Sequence, residues 1–131
     1  MNIVIQTIPH ENQRYETIGD WQKVDDTLIV NVSELPDARY EFLIGLHEMV
    51  EAYLCLSRGV TEKQVDEFDL AFQGDGEPGD ASDSPYRKEH FHATNIERLV
   101  AEQLGVDWEK YETAIVEKFC KEKTDVPKTT S

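Results

Sequence analysis

Residues 27–58, TLIVNVSELPDARYEFLIGLHEMVEAYLCLSR, decide the fold because the spacing of apolar residues changes within them. Thr27 to Ser33 is rich in β-branched residues and predicts a strand. From Asp37 onward the apolar residues recur at helical spacing, so we predict one amphipathic helix over Asp37 to Arg58. Asp37 suits the N-cap, and Gly59 suits the left-handed residue that often ends a helix. A strand that leads into a long helix indicates an α+β protein.

The segment before this stretch predicts further strands. Asn2 to Ile8 carries apolar residues at alternating positions, and Pro9 ends the run. Arg14 to Trp21 alternates more weakly, and we expect it to pair back. Together with the strand at 27–33, these segments predict a small N-terminal antiparallel sheet. His10 lies in the intervening turn, where we expect it to be solvated.

Three more helices are predicted after the long one, which gives about four in all. The pattern Thr61-x-x-Gln64 is a capping box that opens the second helix. Residues 74–86, GDGEPGDASDSPY, are rich in Gly, Asp and Pro and predict a long loop. We assign residues 1–123 to one domain and residues 124–131 to a flexible tail. The later helices are expected over Thr61 to about Phe72, about Arg87 to Leu104, and Trp108 to about Lys121.

The chain is strongly acidic for its size. Its 131 residues, enough for one domain, include 27 Asp and Glu against 13 Lys and Arg, which gives a formal net charge of -14. Nucleic acids and anionic membranes are both recognised by clustered basic residues, so this balance disfavours both as partners. It permits the binding of cations, or mimicry of the charge of DNA.

Cysteine usage and the start of the chain both favour a cytoplasmic location. The two cysteines, Cys55 and Cys120, are too few for a disulfide framework and predict reduced thiols. The first residues, MNIVIQTIPHENQ, lack the basic and apolar regions of a signal peptide. No apolar run approaches the roughly 20 residues that span a bilayer.

The long helix carries a His47-Glu48-x-x-Glu51 pattern on its apolar side. At about 100° per residue, His47 and Glu51 lie roughly 40° apart and fall within the apolar stripe of the helix. An ionised glutamate on such a face is costly unless it is paired or binds a metal. The pattern differs from the HExxH zinc helix in its second ligand, and a carboxylate is an acceptable zinc ligand. Glu48 occupies the position of the general base in that motif.

A catalytic site of this kind needs a second histidine from another element. His90 and His92 lie in the third predicted helix. His90 shares an edge of the apolar face with Glu97, whereas His92 falls on the other flank, so we prefer His90 and keep His92 as the alternative. The buried face of this helix is assigned to its spaced apolar residues, Ala93, Ile96, Val100 and Leu104.

Two further residues are candidates for the site. Asp69, at the edge of the apolar face of the second helix, is a metal ligand, a group that orients a ligand histidine, or a solvated carboxylate. Tyr86, which follows the loop, is a candidate catalytic residue that would stabilise an oxyanion. The acidic residues of the loop do not follow the EF-hand pattern, and we expect a solvated loop; they are Asp75, Glu77, Asp80 and Asp83.

A combination of short segments carries a resemblance to other proteins. The segments are Leu35 to Phe42, Leu46 to Ala52 with Cys55, Val65 to Asp69, Glu77 to Asp80, Pro85-Tyr86, and His90. Over about residues 8–111 the chain resembles a family of small uncharacterised phage and bacterial proteins. Its strand-then-HExx-helix layout is similar to that of zincin-like metallopeptidases. That similarity implies a zincin-like fold with a metal site at His47 and Glu51 and with Glu48 as base.

The leading hypothesis is a zincin-like, metal-binding protein that acts as a metal-dependent hydrolase or metalloprotease on a peptide or protein substrate. Its expected ligands are His47, Glu51 and His90, with Asp69 as a further candidate. The expected cofactor is a divalent metal, zinc first, with iron, nickel and manganese as alternatives. Two alternatives lack catalysis. One is a degenerate zincin whose metal stabilises a partner-binding fold, and the other is an acidic phage-type inhibitor that mimics the charge of DNA.

Overall fold

The N-terminal strands form a three-stranded mixed sheet in this computed structural model, which describes residues 1–125 and side chains as far as Lys118. Strand β1 spans Asn2–Ile8, β2 spans Gly19–Val24 and β3 spans Thr27–Ser33. Their order across the sheet is β1-β3-β2, with β1 parallel and β2 antiparallel to β3. The strand of residues 2–8 was predicted with its bounds, but the expectation of a wholly antiparallel sheet is wrong for β1.

The central place of β3 explains the mixed topology. Its side chains Leu28, Val30 and Val32 are 0–1% exposed. The central position, with a strand on each side, therefore buries the most apolar surface of β3 and stabilises the fold. Residues 9–18 connect β1 to β2, which lies at the opposite edge of the sheet and leaves the space between them for β3. The tight turn at residues 25–26 then returns β3 between the other two strands.

Helix α1, Ala38–Arg58, packs against the apolar face of the sheet and has the predicted bounds. Asp37 caps its start by accepting a hydrogen bond from the backbone N–H of Arg39. Gly59 ends it in the left-handed conformation, with φ of 81°. The helix approaches the sheet closely at Gly45, where a Cβ would lie 2.9 Å from Cγ2 of Ile5.

Three further helices complete the expected α+β fold. Helix α2, Glu62–Ala71, starts at the predicted capping box. Helix α3, Arg87–Gln103, packs along α1, and α4, Trp108–Asp125, follows. The loop between α2 and α3 contains a short 3-10 helix, Pro78–Asp80. Helix α4 includes the first two residues of the predicted flexible tail, and residues 126–131 of that tail lie outside the described residues.

His10 is buried, which corrects the expectation that it is solvated. It is 6% exposed, within a short 3-10 helix at His10–Asn12. Its Nδ1 lies 2.8 Å from Oγ of Ser33, and its Nε2 lies 3.1 Å from Oε1 of Glu16. Through these contacts His10 links the segment between β1 and β2 to the last residue of β3. Among the described residues, no helix combines the length and the apolar character needed to cross a membrane.

Candidate metal centre

Helix α1 carries His47 and Glu51 into the interior on one face. Their exposed fractions are 8% and 4%. The Nε2 atom of His47 lies 3.1 Å from Oε2 of Glu51. Side chains four residues apart on a helix are neighbours, so this approach follows directly from the sequence spacing.

Helix α3 adds His90, which is 5% exposed. Its Nδ1 lies 2.9 Å from Oε2 of Glu51 and 3.2 Å from Nε2 of His47. The two imidazole rings meet edge to face, with centroids 4.8 Å apart. Three ligand-type atoms thus converge in a compact triangle, and we call His47, Glu51 and His90 the triad.

The size of this triangle suits a small divalent ion. Zinc binds histidine nitrogen and carboxylate oxygen at about 2.1 Å. Ligand atoms at that bond length are about 3.4 Å apart in tetrahedral coordination and about 3.0 Å apart when their bonds meet at right angles. The edges of the triangle are 2.9, 3.1 and 3.2 Å, close to the second value. The triad therefore fits three corners of the coordination shell of one ion.

Carboxylates hold the outer nitrogen of each histidine. Nδ1 of His47 lies 2.8 Å from Oε1 of Glu97. Nε2 of His90 lies 3.1 Å from Oε2 of Glu77 and 3.3 Å from Oδ1 of Asp80. When the outer nitrogens carry the protons and donate them, the inner nitrogens present lone pairs to the triad. That is the tautomer a metal-binding histidine needs, set by its partner on the far side of the ring.

Glu97 links three helices and was not identified as a site residue from the sequence. It lies on α3 and is 7% exposed. One carboxylate oxygen contacts His47 of α1, and the other accepts a hydrogen bond of 2.5 Å from the hydroxyl of Tyr111 on α4. Because both oxygens are engaged, the carboxylate is fixed in orientation and in turn fixes the ring of His47.

The loop between α2 and α3 covers the outer side of His90. The backbone at Gly79 is so close that a Cβ there would lie 2.5 Å from Cγ of the His90 ring. Glu77 and Asp80 keep exposed fractions of 65% and 68%, yet both contact this buried histidine, so the loop is only partly the solvated segment expected. The hydrogen bond with His90 lowers the pKa of Glu77.

Glu48 lies beside the triad without joining it. Its Oε2 is 3.9 Å from Nε2 of His47, and its side chain is 14% exposed. It packs against β2, where a Cβ at Gly19 would lie 2.8 Å from Cγ of Glu48. Within the described part of the chain, its carboxylate makes no hydrogen bond. Burial raises the pKa of Glu48 well above its usual range, and the negative charge of Glu51 adds to this effect.

The site concentrates negative charge. The side chains of Glu48, Glu51 and Glu97 are 14%, 5% and 9% exposed, and among the described residues their ion-pair partners are histidines alone. Burial would raise the pKa of Glu51, but hydrogen bonds with His47 and His90 outweigh it and lower the pKa to about 2. Burial would also lower the pKa of His90, yet its carboxylate partners raise it to about 10. Such a pocket favours a cation at its centre.

Asp69 and Tyr86 contact each other rather than completing the triad. The hydroxyl of Tyr86 donates to Oδ1 of Asp69 at 2.5 Å, and the hydroxyl of Tyr15 donates to Oδ2 at 3.1 Å. The ring of Tyr86 lies edge-on to His90, with centroids 6.2 Å apart. Tyr86 therefore supports the triad through its ring, while its hydroxyl is occupied by Asp69.

The buried face of α3 differs from the predicted one. Two residues assigned to it, Ile96 and Leu104, are 38% and 37% exposed. His92 lies on the flank with its ring 5.7 Å from that of Phe91, away from the triad. Polar residues occupy the buried face because they build the site, and apolar spacing alone could not locate it. The buried residues of α3 are Glu89, His90, Ala93, Glu97 and Ala101.

Comparisons with protein-family models, curated proteins and solved structures found no match for this chain. The candidate site is therefore identified by its own geometry. Two groups of described side chains could hold a metal ion, and they share His90. The first is the buried triad, and the second joins His90 to the exposed carboxylates of Glu77 and Asp80.

Proposed function

We propose that this protein is a zinc-dependent, zincin-like hydrolase of peptide bonds, with the metal held by the triad of His47, Glu51 and His90. One observation carries the proposal. Three ligand atoms from two helices lie within 3.2 Å of one another, while carboxylates engage the outer nitrogens of both histidines. Protons or a cation must occupy the space between such electron-rich atoms, and the size of the triangle suits a cation.

The composition of the triad favours catalysis over a purely structural metal. Structural zinc sites use four protein ligands, whereas catalytic sites use three, often two histidines and one glutamate, and leave a position open. The triad offers three such ligands within the described residues. A zinc ion held there would polarise a carbonyl oxygen and lower the pKa of a nearby water.

The chain itself supplies a base next to that position. With a cation held by the triad, which would lower the pKa of the nearby Glu48, the Glu48 carboxylate, 3.9 Å from Nε2 of His47, would take the proton of the water that attacks the carbonyl carbon and give it to the amine as the C–N bond breaks. Its lack of hydrogen-bond partners among the described residues leaves both oxygens available for this exchange. Glu97 keeps His47 in the required tautomer. Tyr86 positions His90 with its ring, because its hydroxyl already donates to Asp69.

The layout of the fold, the net charge and the free thiol of Cys55 all favour an intracellular peptide or protein substrate. Strand β3 leads into α1 and its HExxE pattern, the layout that suggested a zincin-like protein. The net charge of -14 favours neutral or basic substrate segments over nucleic acid. The free, buried thiol of Cys55 supports a reducing, cytoplasmic location.

Substitution Glu48→Gln tests the proposal. This change keeps the shape of the side chain but removes the base, so zinc content should equal that of the parent. Hydrolysis of a fluorogenic peptide library should fall by at least about 100-fold, the usual contribution of a general base. Glu112→Gln, at an exposed position on α4, is the matched control and should change neither quantity.

The combined readout separates the competing functions. Equal hydrolysis by the parent and Glu48→Gln would contradict the role of Glu48. Zinc binding that raises the melting temperature, with no hydrolysis of any library member, would instead favour a metal-stabilised, partner-binding protein. A parent that neither binds zinc nor cleaves peptides would leave the acidic inhibitor as the better account.

A further inference from the structure

Strand β1 forms an edge of the sheet and lacks the features that usually prevent an edge strand from pairing with another chain. Strand β1 lies at the edge, and Asn2 to Thr7 are all exposed. The strand sequence, NIVIQTI, contains no charged residue and no proline. Natural proteins usually guard an edge strand with charge, proline or a bulge, because unpaired backbone groups invite another strand. An edge of seven residues without these devices points to a partner strand.

The register with β3 shows which backbone groups are free. The N–H of Asn2 donates to the carbonyl of Asp26, and the carbonyl of Ile8 accepts from the N–H of Glu34. In a parallel ladder, alternate residues therefore direct both groups toward β3. The intervening residues direct theirs away from the sheet, and no loop or helix among the described residues bonds them; they are Ile3, Ile5 and Thr7.

We propose that β1 pairs antiparallel with β1 of a second copy, about a twofold axis at Ile5. The outward residues are spaced symmetrically around this position. Ile5 would then face Ile5 of the other copy, and Ile3 would face Thr7 in both directions. Directly opposed, hydrogen-bonded residues exchange two bonds each in an antiparallel pair, so all the outward backbone groups of both strands are satisfied at once. The two sheets become one continuous sheet, closed by an isologous contact.

The side chains beside this edge suit the same contact. Ile3 and Ile5 are 48% and 46% exposed and project on the face that carries α1, because their register partners are Leu28 and Val30. On α1, Phe42 lies one turn before Gly45, which touches Ile5, and it is 57% exposed. A twofold axis at Ile5 brings these apolar side chains of both copies together. Their burial adds a hydrophobic contribution to the backbone pairing.

The contact area between the two copies predicts a weak dimer. A strand of seven residues is roughly 23 Å long, and with the adjoining side of α1 the contact is about 15 Å wide. That corresponds to on the order of 400 Å² per copy, about half of a standard interface. We therefore expect weak, reversible association that is populated only at high protein concentration. Each copy carries a net charge of -14 while β1 is uncharged, so added salt should strengthen the dimer by screening repulsion.

Sedimentation equilibrium on the full chain tests the pairing. The mass should rise from 15.1 kDa toward about twice that value as concentration increases from about 5 to about 500 µM. Ile5→Lys and Ile5→Glu each place two like charges at the axis and should remain monomeric. An equimolar mixture of these two variants should form a heterodimer, because the opposed charges then attract. Phe91→Lys changes another exposed apolar residue, on α3, and should dimerise like the parent.

Each outcome decides the proposal. Thermal unfolding of each variant is the control for folding: a cooperative transition like that of the parent would attribute loss of the dimer to the substitution at the strand edge. A parent that stays monomeric at about 500 µM in high salt overturns the proposal and leaves the edge for a strand of another protein. A dimer that persists in Ile5→Lys, or a mixture that stays monomeric while the parent dimerises, places the contact elsewhere.

Discussion

Removal of the Glu97 carboxylate should weaken zinc binding although Glu97 is not a ligand. The Glu97→Ala substitution deletes the acceptor 2.8 Å from Nδ1 of His47, and His47 then loses its fixed tautomer and ring orientation. Losses of carboxylate partners of this kind usually cost 10- to 100-fold in metal affinity. That range corresponds to about 1.4–2.7 kcal/mol of binding free energy. Glu97→Gln keeps the shape and an acceptor but loses the charge, so its affinity should fall between those of the parent and Glu97→Ala.

Competition against a fluorescent zinc chelator measures these affinities on folded protein. Tyr111→Phe removes only the hydrogen bond to the far oxygen of Glu97 and should produce a smaller loss than Glu97→Ala. Glu102→Ala changes an exposed glutamate on the same helix and should bind zinc like the parent. If Glu97→Ala binds within about twofold of the parent, His47 does not use the nitrogen opposite Glu97 as a ligand, and the reasoning fails.

Three further predictions concern the loop over His90, a buried ion pair and the titration of Asp69. Gly79→Ala places a Cβ 2.5 Å from Cγ of His90, so we expect about 1–3 kcal/mol less stability in urea unfolding, together with weaker zinc binding. Arg14→Gln leaves the carboxylate of Asp20, 3% exposed, without its bidentate partner, which should lower the free energy of unfolding by about 3 kcal/mol. Burial raises the pKa of Asp69 from 3.8 to about 6, so its contribution to stability is present below pH 3.8 and is lost as the pH rises through 6, by at most about 3 kcal/mol.

Matched variants test these three predictions. Arg39→Gln breaks an exposed ion pair with Asp37 and should lower the free energy of unfolding far less than Arg14→Gln does, so equal effects of the two substitutions would contradict the argument from burial. Asp69→Asn should flatten the dependence of stability on pH between about 4 and 7, and an unchanged slope would assign it to other groups. Unaltered stability and zinc affinity in Gly79→Ala would show that the loop does not hold His90.

The helices were predictable because their signals are local. Asp37 caps α1 through its own side chain, and Gly59 adopts the positive φ that ends the helix. The capping box of Thr61 and Gln64 forms within four residues. Such contacts lie within a turn of the chain, so the sequence contains all the information they need.

The sheet was harder to predict because strand partners are not local. Alternation of apolar residues marked β1 and β3, but it carries no information on which strand lies in the centre. The choice of β3 depends on burial of its apolar side chains by α1, a tertiary effect. The weak alternation over Arg14 to Trp21 also misplaced β2, which spans Gly19–Val24.

The site residues also differ in whether their contacts are local in sequence or depend on tertiary packing. His47 and Glu51 lie together because helical spacing demands it, and His90 was favoured by its place on α3. Glu97 and Glu77 were noted in the sequence but given no role in the site, because their contacts depend on how α3 and the loop pack against α1. The spacing of seven residues placed Glu97 on the same helix edge as His90, since two turns return the chain to nearly the same face, but it did not show that Glu97 contacts His47.

The most direct test of the account is the metal content of protein purified without a histidine tag, measured by elemental analysis beside His47→Ala. The account predicts about one equivalent of zinc per chain in the parent and its loss in the variant. No bound metal in the parent, together with no rise in melting temperature on adding zinc, would contradict it. The triad would then be a buried network of hydrogen-bonded polar side chains.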